Sequence, residues 1–438
     1  MKTMKRAAAI TAALAMTAGL AACSQGSDAG AASGSDPAQG GTLTIWDYES
    51  DDSAMGKAWA KAVEIFKEEH PGVEVKTEEQ TFEQIQKNAK IVLTGDSVPD
   101  VMEYNKGNAT AGQLASQGLV TDLSDVAAER GWDKLLPESI SATARYTEDG
   151  LMGSGSWYGI PNYGEFVFVY YNKQMFADAG LSIPTTLDEF VAVMDAFKAK
   201  GITPLAEAGA EYPMGQLWYN LVLSGADDEF VRNYQFFDAD VDWTSGPIAS
   251  GAQTFKEWVD AGYVSAESSG LTAEDMGTGF IAGKYPMMVT GSWWFGRLKN
   301  EMGDGFGQFL FPSKYALGSS GNLWVVPENA KNKELAYDFI DITLRDEVQQ
   351  VLGAEGGLPV VGGSDAINDE ATKTLTENFQ KLAEQNALAY YPDWPVPGFY
   401  DQIVSNLQSL MSGSKTPEGA MKDLGDLYSE GKTELTGE

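Results

Sequence analysis

The sequence predicts an α/β protein organised in two or three lobes, and three observations carry that expectation. At 438 residues the chain is longer than one ordinary hydrophobic core can organise. Residues 43–104 alternate strand, helix, strand, helix, strand, an order that implies a parallel sheet with right-handed crossovers. Residues 166–171 (FVFVYY) are continuously apolar or aromatic, as a strand buried on both faces is.

The elements are taken in chain order. Residues 43–46 (LTIW) form a first strand, with a polar loop at 47–52. Residues 56–69 form a helix with Trp59, Ala62, Val63 and Phe66 on one face, ended by His70-Pro71-Gly72. Val73 and Val75 mark a second strand, residues 82–93 a helix, and 98–104 a third strand. The loops at 47–50 and 104–108 therefore open on the C-terminal edge of the sheet, where α/β proteins place ligands. A Gly-Ile-Pro turn at 159–161 leads through Tyr163 and Glu165 into the buried strand. Glu165 reads equally as a cleft carboxylate or as a solvated loop residue. Thr186-Leu187-Asp188-Glu189 is a capping box, and residues 211–224 turn into a helix. A strand at 287–290 leads to Gly-Ser-Trp-Trp; a strand at 323–326 and a helix capped by Asn332 come next. Three prolines keep residues 390–398 (YYPDWPVPG) out of a helix, so they lie on the surface or in a cleft. An amphipathic helix begins at Tyr400.

Composition narrows the function. The formal charge of −33 is spread along the chain and opposes binding to nucleic acid or anionic lipid. One histidine, His70, in a helix-ending segment, and one cysteine argue against zinc or copper and against a histidine general base. No cofactor is expected, and no nucleophile elbow, P-loop, dinucleotide fingerprint or EF-hand spacing is present. Residues 1–22 read as a signal peptide: Lys2, Lys5 and Arg6, a small apolar core, then Leu20-Ala21-Ala22-Cys23. That ending resembles a bacterial lipobox, with Cys23 acylated, and residues 23–40 form a flexible tether. Aromatic residues gather at element ends beside Gly, Pro, Asp or Asn: Tyr104, Tyr163, Tyr212 with Trp218, Trp293-Trp294 and Asp393-Trp394. A single buried tryptophan reads as core or as ligand platform with equal weight. Several together favour a cleft whose flat faces suit sugar rings and whose carboxylates suit hydroxyls.

Several motifs in this order carry a resemblance: LAAC, TIWDY with FKEEHPGVEV, LTGDSVPDVMEY, YYNKQMFADAGLSIPTTLDEF, FIAGKYPMMVTGSWW, NKELAYDFI and SGSKTPEGAM. Over nearly all of residues 41–430 the chain resembles the extracellular solute-binding lipoproteins of carbohydrate ABC importers, similar to the maltose-binding-protein group (family 1 solute-binding proteins). The resemblance implies a two-lobed, periplasmic-binding-protein-like type II fold, each lobe a central mixed sheet flanked by helices. Lobe one would be residues 41–150 with 322–356, and lobe two 151–321 with 357–438. It implies a monomeric, non-catalytic binder that closes about a hinge on a small oligosaccharide and delivers it to the permease subunits. The location implied is the extracellular face of the cell membrane, with lipid on Cys23 the only membrane contact. By position it points to Asp47, Tyr48 and Glu49 for sugar hydroxyls and to Tyr104 with Asn105 for packing on a ring. It also points to Glu165, Glu211 with Tyr212, and the stacking residues Trp293 and Tyr400, leaving Asp393 and Trp394 to decide which sugar binds. The segment around Thr81–Gln84 matches the maltose-type pattern only in part. A cell-surface glycosidase, a binder of cationic solutes such as polyamines, and an adhesin remain as alternatives.

Overall fold

The computed structural model describes residues 40–136 and 138–437, so the expectations for the signal peptide, Cys23 and most of the tether lie outside the described residues. Two principal sheets organise the chain. Twelve strands are present among the described residues: β1 (Thr42–Asp47), β2 (Glu74–Glu79), β3 (Val101–Tyr104), β4 (Arg145–Tyr146), β5 (Ser156–Trp157), β6 (Ile160–Pro161), β7 (Gly164–Asn172), β8 (Leu205–Ala206), β9 (Met287–Gly291), β10 (Phe306–Phe309), β11 (Gly318–Ser320) and β12 (Leu323–Val325).

The first sheet has the order β2-β1-β3-β12-β6. β1 runs parallel to β2 and β3, because the helices Ala54–Glu69 and Phe82–Leu93 cross between them. β12 pairs antiparallel with β3 on one side and with β6 on the other. Ile160 and Pro161, expected as part of a turn, are thus an edge strand of the first sheet, a position where proline costs no ladder hydrogen bond. The second sheet has the order β10-β7-β9-β8, with β11 beside the opening residues of β7. β7 is buried from Gly164 through Tyr170, as its unbroken apolar run requires, and packs antiparallel to β9 and β10. Asn172 ends it and caps the next helix by accepting the Met175 amide at 3.0 Å.

The chain passes between the sheets at one narrow place. It leaves β6, runs through Asn162 and Tyr163, and enters β7; it returns from β11 through Gly321 and Asn322 into β12. The Gly164 amide donates to the Leu358 carbonyl at 2.7 Å, and the Gly321 amide to the Tyr163 carbonyl at 2.6 Å. Gly321 is required there, since a Cβ would stand 2.3 Å from the Tyr163 ring.

Asp100, 3% exposed, ties the first sheet to the helix Lys333–Thr343. Its carboxylate accepts the Thr44 amide and the Asn332 amide, each at 2.9 Å. Asn332 heads that helix as expected, but its side chain donates to the Thr42 carbonyl at 2.9 Å instead of capping. Asp100→Ala leaves two half-buried amides without an acceptor and should cost about 1–3 kcal/mol in urea denaturation. A loss under about 1 kcal/mol would show that water replaces the carboxylate.

Candidate functional site

Both sheets contribute walls to one cavity, with an empty volume of about 700 Å³, mouth included. From the first sheet come Tyr48 and Glu49 after β1, Phe82 at the head of its helix, and Asn105 after β3. Tyr163, Glu165 and Asn322 come from the crossing segments. The second side supplies Tyr212 and Gln216 from the helix Tyr212–Leu223, Trp293 after β9, and Tyr391, Asp393 and Trp394 from the proline-rich loop. Tyr400 comes from the helix Phe399–Ser412. The parallel order of β1 and β3 puts both of their following loops on the same edge, and that edge is the floor.

The floor is polar and connected. The Lys106 ammonium donates to Glu165 Oε1 at 2.8 Å and to Asn322 Oδ1 at 3.1 Å. Both charged side chains are almost fully buried, at 1% and 6% exposed. Asn322 Nδ2 donates to the Tyr163 hydroxyl at 2.7 Å, and that hydroxyl lies 3.4 Å from Glu49 Oε1. Burial, with Asp47 and Glu165 nearby, pushes the Glu49 carboxyl up to about 8. Burial likewise raises Asp393 to about 6 and Asp47 to about 6. Near pH 7 Glu49 is thereby mostly protonated while Asp47 and Asp393 stay mostly ionised, and Lys106 offsets Glu165.

The walls are aromatic. Phe82 meets the rings of Tyr48, Tyr212 and Tyr400 at centroid distances of 5.4, 6.1 and 6.4 Å. Trp293 stands edge-on to Tyr212 at 5.8 Å and donates Nε1 to its hydroxyl at 3.2 Å. Tyr391 lies between Trp293 and Trp394, with centroids at 6.5 and 5.2 Å. The Lys106 ammonium sits 5.2 Å from the Trp394 ring. The two sides touch directly: the Tyr400 hydroxyl donates to Glu83 Oε1 at 2.6 Å, and the Ala109 amide to the Trp394 carbonyl at 2.9 Å. Gly107, at φ 102°, lets the 105–109 loop lie against Trp394, where a Cβ would stand 2.5 Å from that side chain.

Of the residues singled out from sequence, Tyr48, Glu49, Asn105, Tyr163, Glu165, Tyr212, Trp293, Asp393, Trp394 and Tyr400 line the cavity. Five stand elsewhere. Asp47 accepts the Glu49 amide at 3.2 Å and shapes the loop. Tyr104 is 5% exposed and pairs within the sheet. Glu211 accepts the Ala273 amide at 2.7 Å, heading the helix Ala273–Ile281. Trp218 is fully buried on a helix whose residues from Pro213 to Leu223 are all buried. Trp294 turns inward to fill the space over Gly277, with Arg297 on its ring at 5.1 Å. The sequence reading missed Phe82, Lys106, Gln216, Asn322 and Tyr391. Tyr391 and Lys106 lay inside loops already marked as cleft-facing, whereas Phe82 and Gln216 were absorbed into helices. No group of three His, Cys, Asp or Glu among the described residues is arranged to hold a metal ion. Among those residues no helix is long and apolar enough to cross a membrane.

A floor of paired polar groups under aromatic walls, at the meeting of two α/β sheets, defines a solute-binding protein. The family model described as bacterial extracellular solute-binding protein matches residues 47–350, and the chain belongs to that family. It is 28% identical over 434 residues to the diacetylchitobiose binding protein DasA of Streptomyces coelicolor, covering 93% of this chain and 94% of that one. Among solved structures it resembles a chitin oligosaccharide binding protein, with TM-score 0.77, 24% identity, and 90% of this chain against 99% of that one covered. It also resembles the GacH receptor of Streptomyces glaucescens, solved unliganded and with acarbose, with TM-score 0.72, 22% identity, and 91% and 99% covered.

The floor generates two expected outcomes. Glu165→Ala strands the buried Lys106 ammonium and should destabilise the fold by about 3–5 kcal/mol, where Glu165→Gln should cost less. Equal, small losses in urea denaturation would show that Lys106 finds another partner. The folded chain holds the Glu49 proton up to about pH 8, against an ordinary value of 4.5, so it binds more protons than the unfolded chain between those values. Stability should therefore fall as pH rises from about 5 to 8, and the slope should flatten in Glu49→Gln. An unchanged slope in thermal denaturation would remove Glu49 as its source.

Proposed function

We propose that the chain captures a short oligosaccharide, two to four units long, and holds it without reaction for delivery to an ABC permease. The observation that carries this is the cavity itself: aromatic faces from both sheets over a floor of carboxyl, amide and phenol groups. Ring faces suit the C–H faces of pyranoses, and buried acceptors that pair with hydroxyls reject analogues lacking them. The relatives' names, with their diacetylchitobiose, chitin oligosaccharide and acarbose, support the same reading.

Each sheet would organise one lobe, and the crossing segments at Tyr163 and Asn322 would be the hinge about which the lobes close. Binding, not catalysis, is favoured because Glu165 is already engaged by Lys106. A neutral ligand is favoured over a polyamine because burial keeps Glu49 largely protonated. The mature chain would act as a monomer at the extracellular face of the cell membrane, anchored through lipid on Cys23.

A thermal-shift panel of oligosaccharides, followed by calorimetry on the hits, tests the reading. Trp293→Ala should weaken binding roughly 10- to 100-fold, the worth of one buried aromatic face, while leaving the melting temperature nearly unchanged. No hit among the sugars, or full affinity in Trp293→Ala, would overturn it.

A further inference from the structure

Gln216 lies one turn into the helix Tyr212–Leu223 and is 4% exposed, yet its carboxamide is idle. The hydrogen bond at this residue is made by its main-chain carbonyl, which accepts from Asn220 Nδ2 at 3.0 Å. Oε1 is buried without a partner, and no bond among the described residues involves the amide nitrogen. A carboxamide oxygen kept from water without a partner is costly, and such groups in native proteins ask for an explanation.

Beside it is a second, smaller chamber, with an empty volume of about 290 Å³, mouth included, of which about 20 Å³ is open to the centre of a water-sized group. It shares Tyr212, Gln216, Asp393 and Tyr400 with the main cavity, so those side chains form the partition between the two spaces. Its remaining walls are Gly215, Pro392, Ile403 and Val404, none of which offers a polar side-chain atom. That volume admits about one water-sized or methyl-sized group, and apolar walls disfavour the water. Gly215 keeps the chamber open: a Cβ there would already lie 3.1 Å from Ile403 Cγ2.

An unpaired carboxamide beside a methyl-sized apolar recess complements an acetamido group. We propose that the cavity recognises the acetamido substituent of an N-acetylated amino sugar. The acetamido N–H donates to Gln216 Oε1, and its methyl, on the same edge of the trans amide as that N–H, enters the recess of Gly215, Ile403 and Val404. A hydroxyl in the same place could pair with Gln216 but would leave the recess empty. This inference rests on the oligosaccharide reading above and narrows it.

Calorimetry with N,N′-diacetylchitobiose and cellobiose tests it on the unmodified chain, because the two disaccharides share a frame and differ at the acetamido position. The expected result is a preference of roughly 10-fold or more for the acetylated sugar. Gly215→Ala, which narrows the recess, and Gln216→Leu, which removes the amide, should each bring that preference towards unity. Circular dichroism should show both variants folded. Equal affinities in the unmodified chain, or a preference that survives either substitution, overturns the proposal. If neither disaccharide binds while an unacetylated oligosaccharide does, the acetamido assignment falls and oligosaccharide capture stands. If no sugar in the panel binds, both fall.

Discussion

The buried ion pair between Lys106 and Glu165 is the constraint on which the site depends. Removing two charges from water is expensive, and the attraction between them offsets the cost only when their remaining hydrogen-bonding capacity is also met. Here the ammonium is held by Glu165 and Asn322 and lies over the rings of Trp394 and Tyr391. Glu165 and Asn322 belong to two segments that run opposite ways between the sheets, while Lys106 belongs to the loop after β3. One side chain thus fixes the first sheet, both crossings and the proline-rich loop with respect to each other. The network extends through Tyr163 to Glu49, so the polar floor is set before any ligand arrives.

Around that floor the fold supplies recognition cheaply. Parallel strands deliver their following loops to one edge, where Phe82 opens its helix, and Tyr400, second residue of the helix Phe399–Ser412, faces it from the other side. The aromatic side chains meet mostly edge-on or tilted, leaving ring faces for a flat, weakly polar partner. Protonation of Glu49 near neutral pH removes one charge from the acidic cluster and leaves a carboxyl that both donates and accepts. The site is therefore built for uncharged hydroxyl-bearing chemistry even though the chain as a whole is strongly acidic.

Much of this was legible in the sequence because periodicity and breakers are local. Residues 82–93 read as a helix, and the structure has it at Phe82–Leu93, headed by a capping box of Thr81 and Gln84. The unbroken run after Glu165 gave β7, and three prolines kept the 390–398 loop irregular. What stayed hidden was orientation. Trp293 and Trp294 are neighbours in a tight turn, yet one faces the cavity while the other fills the space over Gly277. Gln216 and Trp218 share a helix buried on every face, where no polar stripe marks the side that meets ligand. Nothing local marks Lys106 as buried; only the approach of Glu165, distant in the chain, reveals it. Ile160 and Pro161 read as a turn because two residues are too few to show strand periodicity.

Hydrogen exchange with and without saturating oligosaccharide tests the central claim most directly, since backbone protection reports both sides of a cavity in one experiment. The account predicts slower exchange at residues 48–50 and 105–109 together with 212–216 and 391–394. Protection confined to segments of one sheet, or appearing only away from these four, would contradict it.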